Sequence, residues 1–118
     1  MPEPAEADDL TITDDSALWR RIPPRHFVFD QNLGRLRPST AAFENHPDGS
    51  GMSVFLGAEV VARGRGPDDV LAGHTGYALA AITAGLARAM RQAIVRRPLV
   101  DEPAHAEVRG HKTSALTP

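Results

Sequence analysis

Hydrophobic and polar positions alternate most cleanly late in the chain. In "AHAEVRGH", residues 104–111, Ala104, Ala106, Val108 and Gly110 fall on one face, with His105, Glu107, Arg109 and His111 on the other. That is the period of a strand with one buried side. "HFVFD" sets Phe27 and Phe29 against Val28, and "MSVFL" is an apolar run bounded by glycine at both ends, so both read as short strands. Structure is expected to begin at "ALWRRI", where Leu18 and Ile22 bracket Trp19, and the Pro23–Pro24 pair prevents one continuous element beyond it. "GPDDVLAGH" carries proline at a first helical position, two acids in the first turn and Gly73 near its end, which predicts a short helix.

Two stretches are less one-sided. "QNLGRLRPSTAAFENHPDGSG" is dense in turn formers and predicts a loop with one helical turn near "TAAF", N-capped by Ser39 or Thr40. "HTGYALAAITAGLARAMRQAIVRRPLV" supports two parses. Leu79, Ile82, Leu86, Ala89 and Ala93 recur at helical spacing, as in one long helix rich in alanine. The other parse is strand "YALAAI", a short helix "TAGLARAM" capped by Thr83, and strand "QAIVRRPLV". The β-branched "AIV" followed by a proline, and the need of the other strands for partners, favour the second. The expected fold is α+β: a small mixed, mainly antiparallel sheet with two or three short helices, in a single domain over residues 16–113.

With 118 residues and 42% apolar content, the chain is long enough for one real core and too short for two. It has no cysteine, which excludes disulfides and thiolate zinc sites. No apolar run approaches the roughly 20 residues of a membrane helix, and "MPEPAEADDL" lacks the basic flank and apolar heart of a signal peptide. A cytoplasmic location is expected.

The net charge of −2 is unevenly spread. Glu3, Glu6, Asp8, Asp9, Asp14 and Asp15 crowd the first fifteen residues without a basic residue, which leaves nine acids against thirteen Lys and Arg in the body. A disordered acidic tail over residues 1–15, a mildly basic body and a flexible C-terminal tail over 114–118 are therefore expected. Twelve of the thirteen basic residues are arginine, beside abundant alanine, glycine and proline, as a GC-rich bacterial genome would produce. Few aromatics are present for base stacking, so nucleic acid is not an expected partner.

Candidate chemistry gathers on the polar face of the last strand. His105 and Glu107 are same-face neighbours roughly 7 Å apart, so both can reach one ligand and work as an acid–base pair, the carboxylate raising the imidazole pKa. Arg21, on an early strand, completes the candidate catalytic set. The same face also fits a solvated sheet surface whose polar residues pair across strands. In "RLRPSTAAFE", Arg35, Arg37 and Ser39 form a candidate anion-gripping turn, with Arg109 as a further substrate contact; helix capping beside surface arginines is the plainer reading. The five histidines, His26, His46, His74, His105 and His111, match no metal-ligand spacing, and no metal or cofactor is expected. "ARGRGPDD" lacks the lysine and hydroxyl that close a phosphate loop and reads as a linker. Trp19 and Tyr77 are expected as core anchors.

"LWRRIPP", "RPSTAAF", "MSVFL" and "PLVDEPAHAEVRGHKT", in that order over residues 17–113, resemble a family of small uncharacterised bacterial proteins. The resemblance implies an order of elements and no activity, and it marks Arg21, Ser39, Phe43, Ser53, Pro103 and His105. Several such proteins continue into a helix after the last strand. Its absence here implies an uncovered sheet face, and so a protein partner or a homodimer. An early arginine, a hydroxyl turn and a late carboxylate also resemble, loosely, an ADP-ribosyltransferase site, without its histidine–tyrosine–glutamate constellation. Two classes of function follow. One is a small bacterial accessory or partner-binding protein, encoded in a biosynthetic or defence gene cluster. The other is a small enzyme using His105 and Glu107 on an anionic small molecule, a nucleotide or a carboxylated metabolite.

Overall fold

The "ALWRRI" stretch is extended because its alternate residues have somewhere to go: Leu18 and Ile22 are fully buried, and Trp19 and Arg21 face the other way. It forms β1 (Ala17–Ile22), and Pro23 ends it at a 3-10 turn over Pro24–His26. The computed structural model describes residues 8–38, Phe43 and residues 51–110. After the turn come β2 (Phe27–Asp30), β3 (Arg35–Pro38), β4 (Met52–Leu56), α1 (Gly57–Ala62), α2 (Pro67–Leu71), β5 (Ala78–Thr83), α3 (Ala84–Ala89), β6 (Ala93–Arg96) and β7 (His105–Arg109). Five strands make one antiparallel sheet in the order β5-β1-β4-β7-β6, and β2 and β3 form a separate hairpin. The fold is α+β.

The sheet buries apolar side chains on both faces. On one face Leu18, Ile22, Met52, Val54, Ile82, Ile94, Ala106 and Val108 meet Ala84 and Ala87 of α3, together with Ile12 and Phe43. On the other, Phe55 packs with Val60 of α1, Val70 of α2 and Ala104, and half-buried Trp19 and Leu79 lie against this group. Each of the Val, Leu, Ile, Met and Phe side chains among these contributes roughly 1.5–3 kcal/mol when fully buried. No helix among the described residues is long and apolar enough to cross a membrane.

Residues 78–96 take the strand–helix–strand parse. The Thr83 hydroxyl accepts a hydrogen bond from the Leu86 N–H at 3.1 Å, which starts α3 and stops β5. Pro67 stands at the start of α2, and the Asp69 carboxylate returns to the Gly66 N–H. Two elements escape the sequence patterns. Part of the expected loop is β3: Asp30 accepts from the N–H groups of Asn32 and Leu33, Gly34 turns the chain at φ +66°, and the hairpin closes with Arg35 opposite Asp30. "GAEVVA", six residues without a side-chain cap, forms α1 because Val60 finds the pocket beside Phe55. The expected turn at "TAAF" and the Ser39 or Thr40 cap lie outside the described residues, Phe43 apart, which is buried in the core.

The acidic stretch departs furthest from expectation. Residues 1–7 lie outside the described part, but from Asp8 onward the expected tail is docked. Ile12 is only 3% exposed. The Asp9 N–H donates to the Ile94 carbonyl at 2.8 Å, and the Asp8 carboxylate accepts from the Ile94 N–H at 2.9 Å, so the segment occupies the outer edge of β6. Arg88 then grips Asp8 (2.7 Å) and Asp14 (2.8 Å), and Arg96 grips Asp9 (3.0 Å). Acids without apolar periodicity looked unanchored, yet one isoleucine and three ion pairs with the basic body anchor them. The argument for an uncovered sheet also changes: β7 lies between β4 and β6, and α3 and the α1–α2 pair sit on opposite faces.

Ile12→Ala should therefore lower stability by about 2–5 kcal/mol in urea unfolding, where a truly loose tail would give nearly none. Asp8 adds a pH dependence. Partial burial pushes its carboxyl up, but the Arg88 hydrogen bond, the Ile94 N–H and the Arg88 charge outweigh it, so the pKa is lowered on folding. Its stabilisation is complete above the unfolded value of about 3.9 and is lost as pH falls through the lower folded value. The stability gap between the wild type and Asp8→Asn should be constant near neutrality and shrink in acid, as read from urea midpoints across pH.

Candidate functional site

β1 and β4 are paired at only two positions, Leu18 with Leu56 and Trp19 with Phe55, whereas β1 pairs along its whole length with β5. Past Trp19 the two strands part. Arg20 bridges the gap, its Nη1 donating to the Ser53 carbonyl at 2.8 Å, a carbonyl that continued strand pairing would otherwise have to satisfy. Over this split lies a cleft of about 340 Å³, lined by Arg20, Arg21, Arg25, His26, Ser53, Phe55, His74 and Tyr77 with Pro23. Its described lining holds three guanidinium groups and no carboxylate.

Each wall has a local cause. The "RR" pair in a strand must send one arginine to each face; Arg20 reaches into the split, and Arg21 lies over the Phe55 ring with its guanidinium carbon 4.7 Å from the ring centre. The Arg21 Nη1 also contacts the Val70 carbonyl and His74 Nδ1, each at 3.3 Å. His74 and Tyr77 are presented by the turn between α2 and β5, where Gly73 and Gly76 both adopt positive φ, and their rings meet edge to face at 5.0 Å. His74 Nδ1 is also 3.0 Å from the Ala72 carbonyl, so it can either accept from Arg21 or donate to Ala72, one at a time. Burial lowers the pKa of Arg20, and the neighbouring Arg21 charge lowers it further; burial likewise lowers that of Arg21. In Arg21 the electrostatic pull of Tyr77 and Glu102 opposes that lowering.

His105 stands beside this cleft. Its ring spans β7 from one neighbour to the other: Nδ1 is 2.8 Å from the Arg97 carbonyl oxygen and Nε2 is 3.1 Å from the Ser53 hydroxyl. A carbonyl only accepts, so Nδ1 carries the proton, and in the neutral ring Nε2 must accept from Ser53 Oγ. Phe55 packs its ring edge to face with the imidazole at 6.2 Å, which links His105 through Phe55 to Arg21. The polar face of β7 is half-buried, since the strand is second from the edge of the sheet.

The expected site residues separate accordingly. His105 and Arg21 come together around Phe55. Glu107 shares the His105 face, but it accepts from Arg109 (2.6 Å) and from the Gly51 N–H (3.2 Å), and no hydrogen bond joins it to His105 among the described residues. The ring nitrogen an acid–base pair would need is taken by Arg97. Arg109 is accordingly engaged with Glu107. Arg35 and Arg37 sit on the hairpin, where Arg37 pairs with Asp30 at 2.8 Å, and neither lines the cleft. Ser39 lies outside the described residues. Tyr77, expected in the core, is a wall of the cleft. Arg20 and Arg25 went unnoticed in the sequence, and His26 and His74 were weighed only as metal ligands; the one available signal was the adjacent arginine pair in an otherwise apolar strand. Among the described residues no three His, Asp or Glu side chains cluster as a metal site requires.

Two measurements test this geometry. Long-range proton–nitrogen NMR correlation should find neutral His105 as the Nδ1–H tautomer. His105→Ala should destabilise by about 1–3 kcal/mol, because the Arg97 carbonyl and Ser53 hydroxyl lose a partner together; an exposed strand residue would cost almost nothing. Comparison with protein-family models, with curated proteins and with solved structures returned no match.

Proposed function

We propose that this is a small bacterial, cytoplasmic accessory protein that holds an anionic group, a phosphate or carboxylate carried by a small molecule or displayed by a partner, in the cleft between β1 and β4. The observation that carries the reading is the gathering of Arg20, Arg21 and Arg25 around one concavity whose described lining has no carboxylate. Several arginines outside the cleft are held by acids: Arg65 makes a two-pronged pair with Glu102, and Arg88, Arg96, Arg37 and Arg109 each face one. Guanidinium groups offer fixed, planar donor forks that match phosphate and carboxylate oxygens. Ser53 and Tyr77 add hydroxyls on the wall, and Phe55 supplies an apolar floor that favours charge–charge contact over hydration.

Inorganic phosphate is the simplest probe. Titration followed by amide NMR should give saturable shifts at Arg20, Arg21 and Tyr77 that chloride at equal ionic strength does not reproduce. Arg21→Gln should weaken the affinity about tenfold or more, the worth of a charge-assisted hydrogen bond. Equal shifts with chloride would sink the reading.

A second reading, a protein partner or a homodimer, draws on the hairpin. Phe29 and Leu36 are directly cross-strand and remain 62% and 64% exposed, with Val28 and Leu33 also exposed nearby. Light scattering should then give a mass above the monomer that Phe29→Ser with Leu36→Ser reduces; a monomer at all concentrations would remove the homodimer.

A further inference from the structure

Ser53 belongs both to the cleft wall and to the His105 hydrogen-bond chain. We infer that Ser53 is a nucleophile activated by His105, and that the protein hydrolyses carboxylic esters whose acyl part carries an anionic group. The inference rests on the reading of the cleft as an anion site. It requires three parts, which the sheet brings together: two are on neighbouring strands and the third just follows a strand. The hydroxyl is on β4. The base is on β7, its Nε2 3.1 Å from Oγ with the acceptor lone pair turned toward it. The group that fixes the tautomer is the Arg97 carbonyl just beyond β6, 2.8 Å from Nδ1, which takes the place a carboxylate holds in the familiar serine–histidine–aspartate arrangement.

Other uses of the same atoms fit less well. A histidine retained only to satisfy a buried carbonyl needs one nitrogen, and here both are committed in a directed order from serine to imidazole to carbonyl. Because Oγ–H donates to the ring, the oxygen keeps its lone pairs for attack, and Ser53 lines the same cleft as Arg20 and Arg21. Arg20 is held against the Ser53 carbonyl itself at 2.8 Å. That charge serves two purposes, to seat the anionic end of the substrate and to stabilise the oxyanion that develops on attack.

The reaction balances without any further reagent. Ser53 Oγ attacks the ester carbonyl carbon as its proton passes to His105 Nε2, giving a tetrahedral oxyanion. The oxyanion collapses, the bond to the alkoxy oxygen breaks, and His105 gives its proton to the departing alcohol. Water then attacks the acyl-serine, losing a proton to His105, and collapse of the second intermediate releases the acid and returns the proton to Ser53 Oγ. The net change is ester plus water to acid plus alcohol.

The test uses the full chain with diisopropyl fluorophosphate and intact-protein mass spectrometry. One adduct is expected, at Ser53 on peptide mapping, absent in Ser53→Ala, with a labelling rate that falls on the acid side as the imidazole protonates. Because a His105 variant can lose the fold, this pH profile on the wild type carries the role of the base. Hydrolysis of the p-nitrophenyl monoester of adipic acid should exceed that of its methyl-capped counterpart about tenfold in kcat/KM, each measured against the Ser53→Ala background. Phosphate binding without an adduct overturns the nucleophile and leaves the anion cleft standing. An adduct at Ser53 with no preference for the free carboxylate overturns the anion reading instead. Labelling at another residue, or a rate indifferent to pH, also overturns the proposal.

Discussion

The hydrogen bond from Arg20 to the Ser53 carbonyl is the contact on which the site depends. β1 is committed along its full length to β5 on one side, and only Leu18 and Trp19 pair with β4 on the other. Twisted strands that part in this way leave backbone groups of the central strand facing a gap, and a buried carbonyl in that position needs a donor. Arg20 supplies it with a side chain, and a side chain can reach where a strand cannot follow. The split stays open as a cleft without an unsatisfied backbone, and its tenant is a cation. Arg21, sent to the opposite face by the strand period, lands on Phe55 and completes a wall whose electrostatic sign is set by two consecutive residues.

On the other side of the sheet a different problem is solved with the opposite charge. β6 would be a bare edge, with unpaired N–H and C=O groups able to recruit another chain. The acidic segment closes it: backbone and carboxylate of Asp8 and Asp9 meet Ile94, and Arg88 and Arg96 clamp the segment in place while Ile12 enters the core. The charge imbalance between the start of the chain and its body is thus in part an internal complement. It brings acids to the β6 edge and not to the described lining of the cleft, which holds Arg20, Arg21 and Arg25. The loop before β7 is tied down by the same chemistry, Arg65 holding Glu102 through two bonds of 2.7 and 2.8 Å, and this fixes the approach to His105.

The hairpin β2–β3 stands apart from these arrangements. Its closure is local, through Asp30, Gly34 and Arg37, and Phe27 alone of its aromatic residues packs against the main core. Phe29 and Leu36 are left facing outward as a cross-strand pair, an apolar surface with arginines around it. The molecule therefore presents two unlike surfaces, a cationic cleft suited to a small charged group and an apolar hairpin face suited to a larger contact.

What the sequence determined by itself is what a window of a few residues can decide. Alternation placed Ala106 and Val108 inward on β7; Pro23–Pro24 ended β1; Pro67 with two following acids started α2; Thr83 capped α3 and so broke a run of alanines that propensity alone would have made one helix. Each is a matter of dihedral preference, capping or period, and each is local. It also marked His105 and Arg21, because polar residues at strand positions are conspicuous, but it gave them the wrong neighbours. Ser53 and His105 are 52 residues apart, Arg21 and His74 are 53, and Arg88 and Asp8 are 80. Such pairs exist only once strand order and register are set, and those follow from how a whole set of apolar faces closes on one core. The tertiary structure placed β7 second from the edge, turned its polar face into a half-buried one, took His105 away from Glu107 and gave it to Ser53 and Arg97.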